Sequence, residues 1–375
     1  MKTICSFFTY CLFLINQLVI GQSGDGNIIR LKADFENAGS VKMSDLVSEI
    51  RYLPLETNSN CLIGYMNVPV FGKDILISSN DNSMSLYRFS NEGKFLNTIG
   101  QMGRGPGEYQ DRTDVQLIGN IVYVVSNFSR SIICYSLNGD FLRKYQLNIE
   151  AYPKSIVQLK DKSFLISFSN PSNLGSIIKT DRDFNIESGF IKNVPLDDNP
   201  LPFRFQQSRD QIFYYYNYLD TVFDLSKGYP DPAIIIDYGK YRQSKKKVSI
   251  YKKNNDVLNR PSISDFTANN EYMMFSLYYP FLEKSYYILH NISNGSQKRW
   301  IKLINDLDCG TFDNWYGYLV EKSSIIFILK PPAILEKFES MTSAEKTDPK
   351  NIRFVNMASK ITLESNPVIM ICKLR

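Results

Sequence analysis

The sequence predicts an all-β fold, a six-bladed β-propeller with four-stranded blades closed by terminal strands. Three observations carry this reading. FSNEGKFL (Phe89 to Leu96) returns 46 residues later as YSLNGDFL (Tyr135 to Leu142). Looser copies follow at 44-residue steps, through Lys179 (IIKTDRDFNI) to Phe223 (TVFDLSKG), with a fifth at LHNISNG (Leu289 to Gly295). β-rich runs also stand at both ends of the array, Leu46 to Leu55 and Val368 to Leu374.

Each copy reads as a hairpin inside a sheet module: an aromatic closes one apolar run, a polar turn carries Gly93 or Gly139, and Phe95 or Phe141 opens the next run. A second β-rich run precedes each copy, at Ile75 to Ser78, Ile121 to Val125, Phe164 to Phe168, Ile212 to Tyr216 and Tyr272 to Leu277. A third precedes that one, at Met66 to Phe71, Val115 to Ile118, Ser155 to Leu159, Phe203 to Gln207 and Ser262 to Phe266. With the strand after each turn, this makes four strands per unit of blade length. Thr311 to Tyr316 and Ile325 to Leu329 open a sixth unit. A ring must close or leave bare sheet edges, so one or both terminal runs are expected to complete the last blade.

Residues 1–21 have the pattern of a signal peptide: Lys2, an apolar stretch from Ile4 to Ile20, and a small residue at Gly21. An uncleaved anchor is the alternative. Cys11 follows Tyr10 and no Cys stands near Gly21, which disfavours a lipid anchor. Residues 22–45 are assigned to a linker and 46–375 to the propeller, so localisation is expected to be periplasmic or secreted. Cys61, Cys134, Cys309 and Cys372 then remain, with no CxxC; free thiols are favoured, Cys134 and Cys372 as small core residues. The mature charge is 42 minus 38, or +4, which does not mark a nucleic-acid binder.

Two stretches interrupt the rhythm. Tyr241 to Arg260 holds Lys245, Lys246, Lys247, Lys252 and Lys253, and Ala333 to Leu363 reads partly as helix with Ser343 as a cap. Both are expected to pass over one face of the disc.

The string SNDNSMSLYRFSNEGKFLNTIG (Ser79 to Gly100), followed by the GRGPGEY loop from Gly103 to Tyr109, resembles NHL-type blades. With LPLET (Leu53 to Thr57) and NPVIMICKL (Asn366 to Leu374), the chain from about Leu46 onward is similar to the secreted six-bladed propellers of Bacteroides-like bacteria. That resemblance implies fold and compartment and leaves activity open.

Candidate site residues follow from the turns. Asn80, Asn127, Asn170 and Asn217 recur after the second run and are expected on one face around the channel, as turn formers or as a polar ring. Asp81 and Asp220 are the only carboxylates beside them, few for calcium. Arg104 and Glu108 in the glycine-rich loop are ligand candidates, as are Tyr218, Tyr278 and Tyr279, with Phe281, at turns of the same face. His290, placed on the outer, partly exposed part of a blade, is the one histidine, and GxSxG and HExxH are absent, so a His-based triad or zinc site is disfavoured. No catalytic residue, metal or cofactor is assigned. The reading is an exported, monomeric binding or scaffolding module for a protein or carbohydrate ligand, with no nucleic acid and no stable membrane insertion. The alternatives are a calcium- and carboxylate-dependent hydrolase or lyase, and a sensor or docking subunit of a membrane-associated complex.

Overall fold

The computed structural model describes residues 28–81, 83–191, 204–216, 219–241, 261–279, 284–310, 317–320 and 323–375. The signal-peptide stretch, Asn217, Tyr218, Phe281, the lysine cluster and the run 311–316 lie outside them. Six antiparallel sheets form the blades. From the innermost strand outward, blade I comprises Val70–Phe71, Ile75–Ser78, Leu86–Phe89 and Phe95–Thr98. Blade II comprises Asp114–Ile118, Ile121–Ser126, Ser131–Ser136 and Phe141–Gln146. Blade III runs through Pro153–Gln158, Phe164–Ser172, Gly175–Thr180 and Ile186–Phe190, and blade IV through Gln206–Ser208, Gln211–Tyr215, Thr221–Asp224 and Asp231–Asp237. Blade V holds Ser262–Ala268, Tyr272–Tyr279, Lys284–Asn291 and Gln297–Trp300.

Blade VI takes Tyr318–Val320, Ser324–Leu329 and Val368–Leu374 from the end of the chain and Val47–Pro54 from its beginning. These last two pair antiparallel, with Val368 opposite Pro54 and Cys372 opposite Ile50. The seam is stitched by the two motifs that carry the resemblance. The Asn366 carboxamide accepts from Ile63 N–H (2.8 Å) and donates to the carbonyls of Glu56 and Cys61 (2.7 Å each). Glu56 accepts from Phe95 N–H (3.1 Å), which fastens blade VI to blade I.

The apolar core divides into six clusters, one at each junction between neighbouring blades, and the one at the seam joins Leu53, Ile326 and Ile369 to Ile75, Ile77 and Phe89. Inner strands are therefore buried on both faces, which accounts for their unbroken apolar runs, while an outermost strand such as Phe141–Gln146 is largely exposed. The repeated glycine turn belongs to this packing. Gly93 and Gly139 have φ of +81° and +92°, and a Cβ on either would stand 2.3 Å from Pro54 O or 2.5 Å from Thr98 O, in the outermost strand of the preceding blade. The repeat thus records a contact between blades.

Within the stretch taken as a linker, two short strands lie on the rim. Ile29–Lys32 pairs parallel with Asp231–Asp237 of blade IV, and Ser40–Lys42 with Lys302–Ile304 beyond blade V. Leu31 and Met43 are fully buried, so this arm straps blades IV and V before entering blade VI.

Three helices, Pro331–Ser340, Ser343–Thr347 and Ile352–Ala358, connect the second and third strands of blade VI. Instead of only passing over a face, they send Ile334, Phe354 and Met357 into the junction between blades V and VI. The cap of the middle helix is Thr342, not Ser343, because the capping box needs its acid three residues on: Thr342 Oγ1 accepts from Glu345 N–H (3.2 Å) and the Glu345 carboxylate from Thr342 N–H (2.8 Å). Cys61, Cys134 and Cys372 are buried, Cys309 is partly exposed, and all four are free; burial pushes the Cys134 thiol up to about 11. His290 departs from the expected partly exposed site. It is buried, because the third strand of a blade is covered on both faces, and its Nδ1 has no hydrogen-bond partner.

Candidate functional site

In such a blade, the turn between strands two and three and the crossing to the next blade emerge on the same face. On that face a cavity of about 430 Å³ is lined from all six blades: Asn67 and Asn80 (I), Arg112 and Thr113 (II), Lys154 (III), Arg204, Gln206 and Tyr215 (IV), Asp265 and Thr267 (V), and Tyr318 and Leu319 (VI). Contributions from every blade place it on the propeller axis, at the channel mouth.

Three cations and one carboxylate line this cavity. Arg112 is buried and committed to blade I: Nε donates to Ser78 Oγ (3.1 Å), Nη2 to Ser79 O (2.9 Å) and Nη1 to Met84 O, and the guanidinium lies 5.6 Å from the Tyr109 ring centre. Burial lowers its pKa. Lys154 and Arg204 make no hydrogen bond or ion pair among the described residues. Burial and then the neighbouring Arg204 charge push the Lys154 ammonium down. Asp265 accepts from Phe266 N–H (2.8 Å) and from the Tyr215 hydroxyl, yet burial still raises its carboxyl. Within blade I, Asn80 Nδ2 donates to Asn67 Oδ1 (3.0 Å). Exposed aromatics stand on the same face, Tyr65, Phe128 and Tyr152 on its loops and Tyr278 near the end of strand Tyr272–Tyr279. The Lys330 ammonium is 5.8 Å from the Tyr65 ring centre, and the Arg130 guanidinium 5.1 Å from that of Tyr152.

The residues singled out from the sequence divide. Asn80 lines the cavity. The Asn127 carbonyl accepts from Arg130 N–H (3.0 Å) in a turn. Asn170 lies inside strand Phe164–Ser172, not after it, and its carboxamide oxygen accepts from Tyr152 N–H (3.1 Å). Tyr278 and Tyr279 lie inside strand Tyr272–Tyr279 and not at a turn; Tyr278 is exposed, and Tyr279 packs 5.4 Å from Phe35 of the arm. Arg104 and Glu108 lie apart, in the connection from blade I to blade II. There the Glu108 carboxylate accepts from Gly105 N–H (2.7 Å) and Gln101 Nε2 (2.5 Å), which lowers its pKa, so it closes its own loop. Among the described residues no group of three or more His, Cys, Asp or Glu is placed to hold a metal ion.

Arg112, Lys154, Arg204 and Asp265 escaped the sequence reading. Their shared signal is position: Arg112 and Arg204 stand just before an inner strand, and Lys154 and Asp265 lie within one. A search of inner runs for repeated acids passes over scattered bases.

A family model, Domain of unknown function (DUF4934), matches residues 26–373. The chain belongs to this family. The DUF4934 fold here is similar to the crystal structure of a candidate exported protein from Bacteroides fragilis, at 17% identity and a TM-score of 0.74, covering 93% of this chain and 99% of that one. It is also similar to a DUF4221-family member from Bacteroides vulgatus, at 10% identity and a TM-score of 0.53, covering 88% and 98%. No curated protein matches by sequence. Among the described residues no helix is long and apolar enough to cross a membrane.

Proposed function

We propose that the protein is an exported propeller module that binds a small ligand in the axial cavity, with residues 1–21 directing export. The carrying observation is one cavity, of ligand-binding size, to which all six blades contribute and in which Lys154 and Arg204 make no hydrogen bond or close ion pair among the described residues. The rigid ring holds these groups in place before any ligand arrives, and preorganisation of this kind raises affinity. Tyr65 and Tyr278 extend the surface outward, where aromatic faces suit a sugar or peptide. The test is a thermal-shift screen of neutral saccharides, peptides and organic acids against the wild type, Gln206→Trp, which fills the cavity, and the double variant Arg104→Ala/Glu108→Ala. Hits lost only in Gln206→Trp support the axial site. Hits lost only in the double variant move the site to the glycine-rich loop.

A further inference from the structure

Resting on the axial cavity as the binding site, we infer that its ligand is a small hydroxylated carboxylate, a sugar acid, whose acid group sits between Arg204 and Lys154. The charge balance of the lining argues for an anion. Arg112 spends its donors on neutral oxygens, and Asp81 meets its charge only through space. Lys154 offers three N–H donors and Arg204 five, all unused among the described residues. The other carboxylates near Lys154 do not line the cavity. Asp111 accepts from Ser126 Oγ (2.8 Å) and Phe128 N–H (3.0 Å), and Asp114 from Ser155 Oγ (2.6 Å) and Ile156 N–H (3.1 Å). Asp265 offsets part of the Arg204 charge through space, but the lining still sets three cations against one carboxylate, and an anion between Lys154 and Arg204 relieves their mutual repulsion.

The kind of anion follows from the donors. A guanidinium fork meets a planar carboxylate through two parallel hydrogen bonds, and the ammonium adds a point charge. Beyond the charged end, Asn67, Asn80 and Gln206 present carboxamides. The one bond between Asn80 and Asn67 leaves a free donor and a free acceptor there, and amides that both donate and accept match hydroxyl groups. Tyr65 at the mouth offers a flat apolar face to the ring of a sugar. A neutral sugar leaves the cations unmatched, and inorganic phosphate leaves the amides and Tyr65 unused.

Calorimetric titration of the mature chain at low salt with D-glucuronate, D-glucose and inorganic phosphate tests this. Glucuronate is expected to bind at least about tenfold more tightly than glucose, and Lys154→Gln or Arg204→Gln to weaken it about tenfold or more, the scale of a charge-assisted hydrogen bond. Neither variant removes a hydrogen bond among the described residues; Lys154→Gln should leave the melting temperature level or higher, while Arg204→Gln, which also takes a countercharge from Asp265, should lower it slightly at most. Equal binding of glucose and glucuronate, insensitive to both variants, overturns the acid assignment while keeping the cavity as the site. Phosphate binding more tightly than glucuronate overturns the carboxylate. Silence with all three probes overturns the sugar-acid class, and the Gln206→Trp screen then decides the cavity on its own.

Discussion

Asn366→Ala removes the side chain that ties the end of the chain to its beginning. Asn366 is 2% exposed, and its truncation strips partners from the Ile63 N–H and from the carbonyls of Glu56 and Cys61. Leaving a buried polar group unsatisfied costs about 1–3 kcal/mol, and relaxation recovers part of the total, so the expected loss is about 4 kcal/mol. An unfolding entropy of about 2.1 cal/mol/K per residue, over roughly 350 residues, converts this to a fall in Tm of about 5–6 °C. Asn366→Asp keeps the acceptor for Ile63 but turns a carboxylate toward two carbonyls, and should lose at least as much at neutral pH. Urea unfolding followed by tyrosine fluorescence, with Tm by calorimetry, measures both variants. A loss below about 1 kcal/mol for Asn366→Ala would refute the argument, because groups this buried cannot lose their partners cheaply.

Two further outcomes follow from the packing. Gly139→Ala combines left-handed backbone with a Cβ 2.5 Å from Thr98 O and should cost about 2–4 kcal/mol; Gly295→Ala, at φ +71° with nothing within 4 Å, should cost about 1–2 kcal/mol. Equal losses in urea unfolding would show that the turn does not press on the neighbouring blade. His290, the single histidine, has its pKa lowered by burial, so below the unfolded value of 6.5 the unfolded chain binds a proton that the folded chain resists. Its contribution to stability is full above pH 6.5 and declines as pH falls toward the depressed folded pKa. His290→Leu should flatten stability between about pH 6.5 and 5, and a slope equal to wild type there would remove His290 as its source.

Legibility from the sequence tracked repetition. The Gly93 and Gly139 turns recur because the same blade contact recurs, and alternating strands and turns between them count the blades. Val47–Pro54 was legible through ring closure, since Val368–Leu374 otherwise lacks an outer neighbour. The rim strands Ile29–Lys32 and Ser40–Lys42 were not, because each is short, parallel to its partner and joined to it by no hairpin. The cavity was hardest to read. Arg112, Lys154 and Arg204 share an axis only once the ring is closed, and no two of them stand in the same local motif. Asn80 was found because its turn recurs, while its contact with Asn67 depends on the inner strand folding back beside it.

The closed ring gives the cavity its six-sided lining, and one cross-link tests that closure. Ile50 stands opposite Cys372 in the seam, and both side chains are buried. Opposite residues of antiparallel strands share a face at a spacing a disulfide can bridge. Ile50→Cys, oxidised mildly in the folded protein, should form a reducible bond to Cys372, seen by peptide mapping as a link between the two ends of the chain. A folded protein in which both thiols stay free, or in which the new cysteine pairs elsewhere, would contradict it.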